Sequence, residues 1–246
     1  MGIDLLSQDE KVCNFDCVYC QIGPTKNYTS ERKIYIPVGD VIEELKKLPD
    51  TRIDYFTFSG RGEPALAANL GEAIKAVKLL RKGPVAVLTN SSLMAQDEVR
   101  KELILADFVV AKLDACSAES LQGINRSAEG VEFADILDGI KKFRNDYVGR
   151  MALQIMFIED NKNEVNKLIY LANYIKPDEV QINTPLRRCD IDPLSKETIL
   201  KIKANFASSL KTVDVVSVYD DKALQDIVPI SDGDTLKRRG KRYKKI

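Results

Sequence analysis

The sequence predicts an α/β fold, a partial (β/α)6 barrel of parallel strands with a short C-terminal extension. Three observations predict it. Short runs rich in β-branched and aromatic residues alternate with longer stretches of helical apolar spacing, the pattern of repeated βαβ units. Such units cross over right-handed and bring helices onto the sheet. The six units are too few to close an eight-stranded barrel, and neither a repeat nor a low-complexity segment fills the gap.

Taken in order, Ile3–Leu6 reads as the first strand and leads into a cysteine-rich loop; the polar stretch Lys26–Lys33 is irregular. Val38–Lys47 places Val41, Ile42 and Leu45 on one helical face, closed by Pro49-Asp50. Ile53–Phe58 is the second strand and runs into Ser59-Gly60-Arg61-Gly62-Glu63-Pro64. Leu70–Leu80 is the next helix, ended by Lys82-Gly83-Pro84. Strands follow at Val85–Leu88, Phe108–Leu113, Met151–Ile158 and Glu179–Asn183, with helices at Val99–Leu105, Val131–Phe143 and Glu164–Tyr174 between them. Ser195–Leu210 is helical and Val213–Val218 is a further strand. Residues 1–218 form the core and residues 219–246 an extension, with no linker that would separate two domains.

At 246 residues, 44% hydrophobic and 30% charged, the chain suits one soluble domain that buries roughly 70–75% of its unfolded surface. No apolar run approaches the roughly 18 residues that span a bilayer. The start lacks the basic and apolar regions of a signal peptide. A cytoplasmic protein with reduced thiols is therefore expected. Acidic and basic residues balance at 37 each, yet Lys237 to Ile246 holds seven bases and no acid, leaving 30 bases against 37 acids before it. Such a tail suits contact with a polyanion, or is a solvated terminus.

Cys13-Asn14-Phe15-Asp16-Cys17-Val18-Tyr19-Cys20 gathers three thiols in eight residues. An iron–sulfur cube normally takes four thiolates, one per iron, so this loop would leave one iron open. Structural zinc sites bring four Cys or His ligands in spaced pairs, whereas this chain has no histidine, and Cys116 and Cys189 lie far off in sequence. Zinc, or thiols buried as apolar groups, are the alternatives. Without histidine, imidazole acid–base catalysis is excluded.

Ligands of parallel α/β folds sit at the carboxyl ends of the strands. There lie the cysteine loop, the glycine-rich second loop, Asn90, Lys112 with Asp114, Gln154 and Met156, and Asn183. The glycines permit close backbone approach, or simply mark a turn. Asp114 or Ser117 would cap a helix.

The C-x3-C-x2-C loop, with Tyr19 before its last cysteine, resembles that of the radical-SAM superfamily, and Arg61-Gly62-Glu63-Pro64 resembles its Gly-Gly-Glu-Pro motif, with Arg61 in place of the first glycine. Gly2–Leu6, Cys13–Gln21, Thr57–Gly60 and Gln181–Pro185 resemble a set of prokaryotic iron–sulfur oxidoreductases grouped with wyosine-base tRNA-modifying enzymes. The resemblance implies a four-iron–four-sulfur cluster on Cys13, Cys17 and Cys20, with S-adenosylmethionine on the open iron. Reductive cleavage would give a 5′-deoxyadenosyl radical that abstracts hydrogen from a substrate. It further implies that Gly60, Gly62 and Glu63 hold the methionine amino group and Asn90 its carboxylate, unless Asn90 simply finishes a turn. Lys112 and Asp114 would meet the ribose, and Tyr19 and Met156 the adenine, unless Met156 is plain core, with Phe15 shielding the cluster. A low-potential electron donor, and tRNA or a protein as substrate, are the implied partners.

Overall fold

The computed structural model describes residues 1–220 apart from residues 27, 50, 51 and 82. Asp50 and Lys82 of the expected helix stops, and the basic tail from Lys237, lie outside the described residues. Seven strands form one sheet in sequence order: β1 (Gly2–Ile3), β2 (Phe56–Phe58), β3 (Val85–Thr89), β4 (Phe108–Lys112), β5 (Arg150–Met156), β6 (Glu179–Asn183) and β7 (Asp214–Ser217). Every neighbouring pair is parallel, and β1 and β7 remain edges. The sheet is thus an unclosed barrel wall, as six βα units and a final strand require.

Helices α1 (Val38–Lys46), α2 (Leu70–Leu80), α3 (Asp97–Leu103), α4 (Ala118–Asn125), α5 (Phe133–Asp146), α6 (Val165–Ile175) and α7 (Lys196–Ser209) fill the crossovers. Their buried stripes, such as Ile136, Ile140 and Phe143 of α5, share one core with Phe56, Phe58, Val87, Val109, Leu153, Ile155 and Ile182. The ring of Phe206 on α7 meets Phe157 edge-on at 6.1 Å between centroids. None of the described helices is long and apolar enough to cross a membrane.

The two sheet faces differ in chemistry. Side chains alternate along a strand, and the register sets Lys112 beside Gln154, Gln181 and Val216 on the face opposite that core. On this open face Gln154 Nε2 donates to Gln181 Oε1 at 2.9 Å, and Gln181 Nε2 to Glu179 Oε1 at 2.6 Å. Arg150 pairs with Glu179 at 2.6 Å below them. The strands are therefore apolar toward the helices, while the interior face mixes apolar residues such as Leu88, Val110 and Ala152 with the polar Lys112, Gln154 and Gln181 near the strand ends.

Two expectations need correction. The first strand ends at Ile3 rather than Leu6, because the Asp4 carboxylate turns the chain by accepting from Leu6 N at 2.9 Å. Likewise the second strand begins at Phe56 rather than Ile53, where pairing with Val85 of β3 starts. The structure also adds α4, whose start is capped by Ser117: Ser120 N donates to Ser117 Oγ at 3.1 Å and Ser120 Oγ accepts from Ser117 N at 3.1 Å.

Candidate functional site: a three-cysteine loop at the strand ends

Two neighbours clamp the cysteine loop. On one side the glycine-rich loop after β2 lies directly against it: Val12 N donates to Arg61 O and Glu63 N donates to Val12 O, both at 3.1 Å. A Cβ on Gly62 would stand 1.6 Å from Val12 O, so only glycine lets the two backbones meet. Gly60, at φ +152°, would drive a Cβ to 2.1 Å from Asp4 Cγ, and that same Asp4 carboxylate accepts from Arg61 N at 3.0 Å. Arg61 is absent from the positive-φ residues, so a side chain is tolerated there; its Nη2 donates to Asp9 O at 3.1 Å.

On the other side stands the end of α4. Asp16 N donates to Asn125 O and Val18 N to Ile124 O, each at 2.9 Å. Within the loop, the Asp16 carboxylate accepts from Thr25 N at 2.6 Å and lies 3.6 Å from the buried Lys11 ammonium.

Cys13, Cys17 and Cys20 are reduced thiols. Two of them have a side-chain amide donor from a distant part of the chain. Asn125 Nδ2 lies 3.3 Å from Cys17 Sγ, and Asn90 Nδ2 lies 3.8 Å from Cys13 Sγ, which also accepts from Phe15 N at 3.4 Å. The buried Lys11 ammonium sits beside the same loop, donating to Gly23 O at 3.2 Å, three residues past Cys20, and standing 3.6 Å from Asp16. Burial pushes the Cys13 thiol up to about 12 and raises Cys17 as well. Bare thiolates are therefore costly here, and a metal would have to supply the compensating charge. Among the described residues no group of three Cys, His, Asp or Glu converges on a single ion. A cluster instead takes each thiolate on a separate iron. Three thiols in one loop, two of them met by amide donors and a buried ammonium beside them, fit a cluster of that kind.

Glu63 ties the second loop to the end of β3. Its Oε1 accepts from Ala65 N at 3.0 Å and Thr89 Oγ1 at 2.6 Å, and its Oε2 from Asn90 N at 2.5 Å. Complete burial nevertheless raises its carboxyl from the ordinary 4.5 to about 7. Asn90 in turn donates to Asn14 Oδ1 at 2.9 Å, so its amide faces the cysteine loop.

Asp114, just past β4, is the hub of a second network. Its carboxylate accepts from the Tyr19 hydroxyl, from Asn125 Nδ2 at 2.9 Å and from Met156 N at 2.7 Å, and Lys112 Nζ stands 3.4 Å away. The Lys112 ammonium also lies 4.8 Å from the centre of the Tyr19 ring. Burial, then the charge of Asp114, hold the Tyr19 hydroxyl well above its ordinary range. Asp114 does not cap α4; Ser117 does. Phe15, Asn90, Lys112, Asp114 and Asn125 line one cavity of about 10 Å3, room for one water molecule. The structure thus brings Tyr19, Glu63, Asn90, Lys112, Asp114 and Met156 around the cysteine loop.

Cys116 and Cys189 have different surroundings. Cys189 packs with Tyr19, Ile124, Ile158 and Met156 beside the loop. Cys116 opens into a separate groove of about 430 Å3 with Asn166, Lys167, Tyr170 and Leu171. Sequence reasoning missed Lys11 and Asn125. Lys11 carried one signal, a lysine two residues before the first cysteine, whereas Asn125 lies more than a hundred residues from its thiol.

The chain matches the model of the Radical SAM superfamily over residues 11–172. A UPF0026 protein of Synechocystis is 36% identical over 98% of this chain and 86% of its own length. Among solved structures, Streptococcus suis SuiB bound to S-adenosylmethionine superposes with a TM-score of 0.68 at 12% identity, over 91% of this chain and 53% of SuiB. SuiB has also been solved bound to its precursor peptide SuiA. Archaeal TYW1 gives a TM-score of 0.57 at 16% identity, over 80% of this chain and 69% of TYW1. At these identities the two structures show a shared fold.

Proposed function

The chain belongs to the radical SAM superfamily, whose members use a four-iron–four-sulfur cluster and S-adenosylmethionine, and from that premise we propose that Cys13, Cys17 and Cys20 hold the cluster in an enzyme that abstracts hydrogen from its substrate. The observation that carries this reading is the joint geometry of the two loops: the three thiols are held against Arg61-Gly62-Glu63 by backbone hydrogen bonds at 3.1 Å. When bound, the cluster and S-adenosylmethionine supply a 5′-deoxyadenosyl radical.

The protein's own residues bind, orient and shield. Phe15 and Tyr19, both buried, exclude water and oxygen from the cysteine side. Gly60 and Gly62, packed on Asp4 and on the Val12 backbone, set the course of the loop we assign to the methionine amino group, while Glu63 keeps that loop in place through its three accepted hydrogen bonds. Asn90 is the residue we assign to the methionine carboxylate and Lys112 to the ribose. Asp114 serves the ribose side by holding Lys112 and Tyr19, and Met156 stands on the adenine side with Cys189 and Tyr19.

For the substrate we adopt tRNA. The seven bases from Lys237 to Lys245 suit phosphates, and the fold is shared with archaeal TYW1. Deleting residues 237–246 should weaken tRNA binding and flatten its salt dependence; unchanged affinity would turn the reading toward a protein or peptide substrate. The cofactor reading is tested by anaerobic reconstitution, which should yield four iron and four sulfide per chain. Bound zinc without iron or sulfide would overturn it.

A further inference from the structure

We propose that Lys11, Asn90 and Asn125 form a three-donor cradle that sets the reduction potential of the cluster, with Lys11 contributing the most. This rests on the cluster reading above and goes beyond it, because it assigns residues outside the cysteine and glycine-rich motifs.

Hydrogen bonds and positive charge near cluster sulfurs stabilise the reduced form, which carries one more electron. Here Asn90 Nδ2 lies 3.8 Å from Cys13 Sγ and Asn125 Nδ2 3.3 Å from Cys17 Sγ, and the buried Lys11 ammonium is fixed beside the loop by Gly23 O, three residues past Cys20. The donors come from three separate parts of the fold, the end of β3, the end of α4 and the segment before the loop. Each is held by other bonds. Asn125 Nδ2 also lies 3.0 Å from Tyr19 Oη and 2.9 Å from Asp114 Oδ2, its two hydrogens shared among these and Cys17 Sγ. Asn90 is fixed on Asn14 at 2.9 Å. Lys11 donates to Gly23 O at 3.2 Å and pairs with Asp16 at 3.6 Å.

The three donors are unequal. Lys11 alone carries a charge, and it is 8% exposed, so its field reaches the sulfurs with little screening. A charge-assisted bond is also roughly twice as strong as a neutral one. These are positioning residues: they surround the thiols and leave the reacting atoms of a substrate alone.

The test is a reductant titration of the anaerobically reconstituted full chain, followed by electron paramagnetic resonance. It would compare Lys11→Met, Lys11→Arg and Asn125→Leu, with iron, sulfide and circular dichroism measured on each. Lys11→Met keeps the length of the side chain, and Asp16 retains its bond from Thr25 N at 2.6 Å. Lys11→Met should make reduction at least tenfold less favourable, about 59 mV more negative for a one-electron couple. Lys11→Arg should restore the potential, and Asn125→Leu should shift it the same way by less. Reconstituted Lys11→Met and Asn125→Leu proteins with wild-type potentials would overturn the cradle. A wild-type chain without cluster would instead overturn the cofactor reading.

Discussion

Replacing Gly62 by alanine should release the cysteine loop from the fold. The added methyl group would stand 1.6 Å from Val12 O and 2.7 Å from Val12 C, and both obstacles are backbone atoms that no rotamer change removes. The chain must therefore separate the loops, breaking the bonds Val12 N to Arg61 O and Glu63 N to Val12 O. Each lost hydrogen bond costs about 1 kcal/mol, and the displaced packing costs about 1–3 kcal/mol more. The sum, about 3–5 kcal/mol, is a large part of the 5–15 kcal/mol that holds a typical domain. For a chain of this size it corresponds to a fall in Tm of about 6–20 °C. Urea and thermal unfolding of the apoprotein would measure it, with iron retention after reconstitution as the second readout. A Gly62→Ala protein that unfolds within about 0.5 kcal/mol of wild type and keeps its iron would refute the account of the clamp.

Glu63 supplies a pH signature. Its folded carboxyl titrates near 7 against 4.5 when unfolded, so between those values the native state holds a proton that the unfolded chain has lost. Stability from this group is full below about pH 4.5 and declines as pH rises through 7, by about 3 kcal/mol in all. Urea midpoints taken from pH 5 to pH 8 should fall accordingly, and Glu63→Gln should remove that slope; an equal slope in the variant contradicts the assignment. Asp114→Asn turns an amide NH2 toward one of its two donors, Asn125 or the Met156 N–H, and strips the partly buried Lys112 of its charged partner. Breaking such a pair costs about 3–5 kcal/mol, readable as a drop in urea midpoint, and a loss under about 1 kcal/mol would mean that the hub is not shared as described.

The elements whose signals are local were legible in the sequence. Leu70–Leu80 and Glu179–Asn183 have the observed bounds, since helical spacing and a β-branched run between stop signals suffice to mark them. The cysteine loop was legible because its ligands lie within eight residues. Of helix α4 only a candidate cap at Ser117 was legible and its extent was not, because only Leu121, Ile124 and Asn125 of it are buried, and its cap uses Ser120 where the common pattern has Glu or Gln. The donor to Cys17 lies 108 residues away, a pairing that only the folded sheet creates. Nor did the sequence reveal that Asp114 is spent on Tyr19, Asn125 and Met156, since a carboxylate at a strand end reads the same whether it faces a ligand or its own chain.

The most direct test of the central claim is 5′-deoxyadenosine formation by the anaerobically reconstituted chain with S-adenosylmethionine and a low-potential reductant. Assays should run with and without tRNA, beside a Cys13→Ala, Cys17→Ala, Cys20→Ala triple variant. The account predicts product from the intact chain, none from the triple variant, and more when tRNA is present. Equal product from both proteins, or none from a chain carrying four iron and four sulfide under every substrate condition, would contradict it.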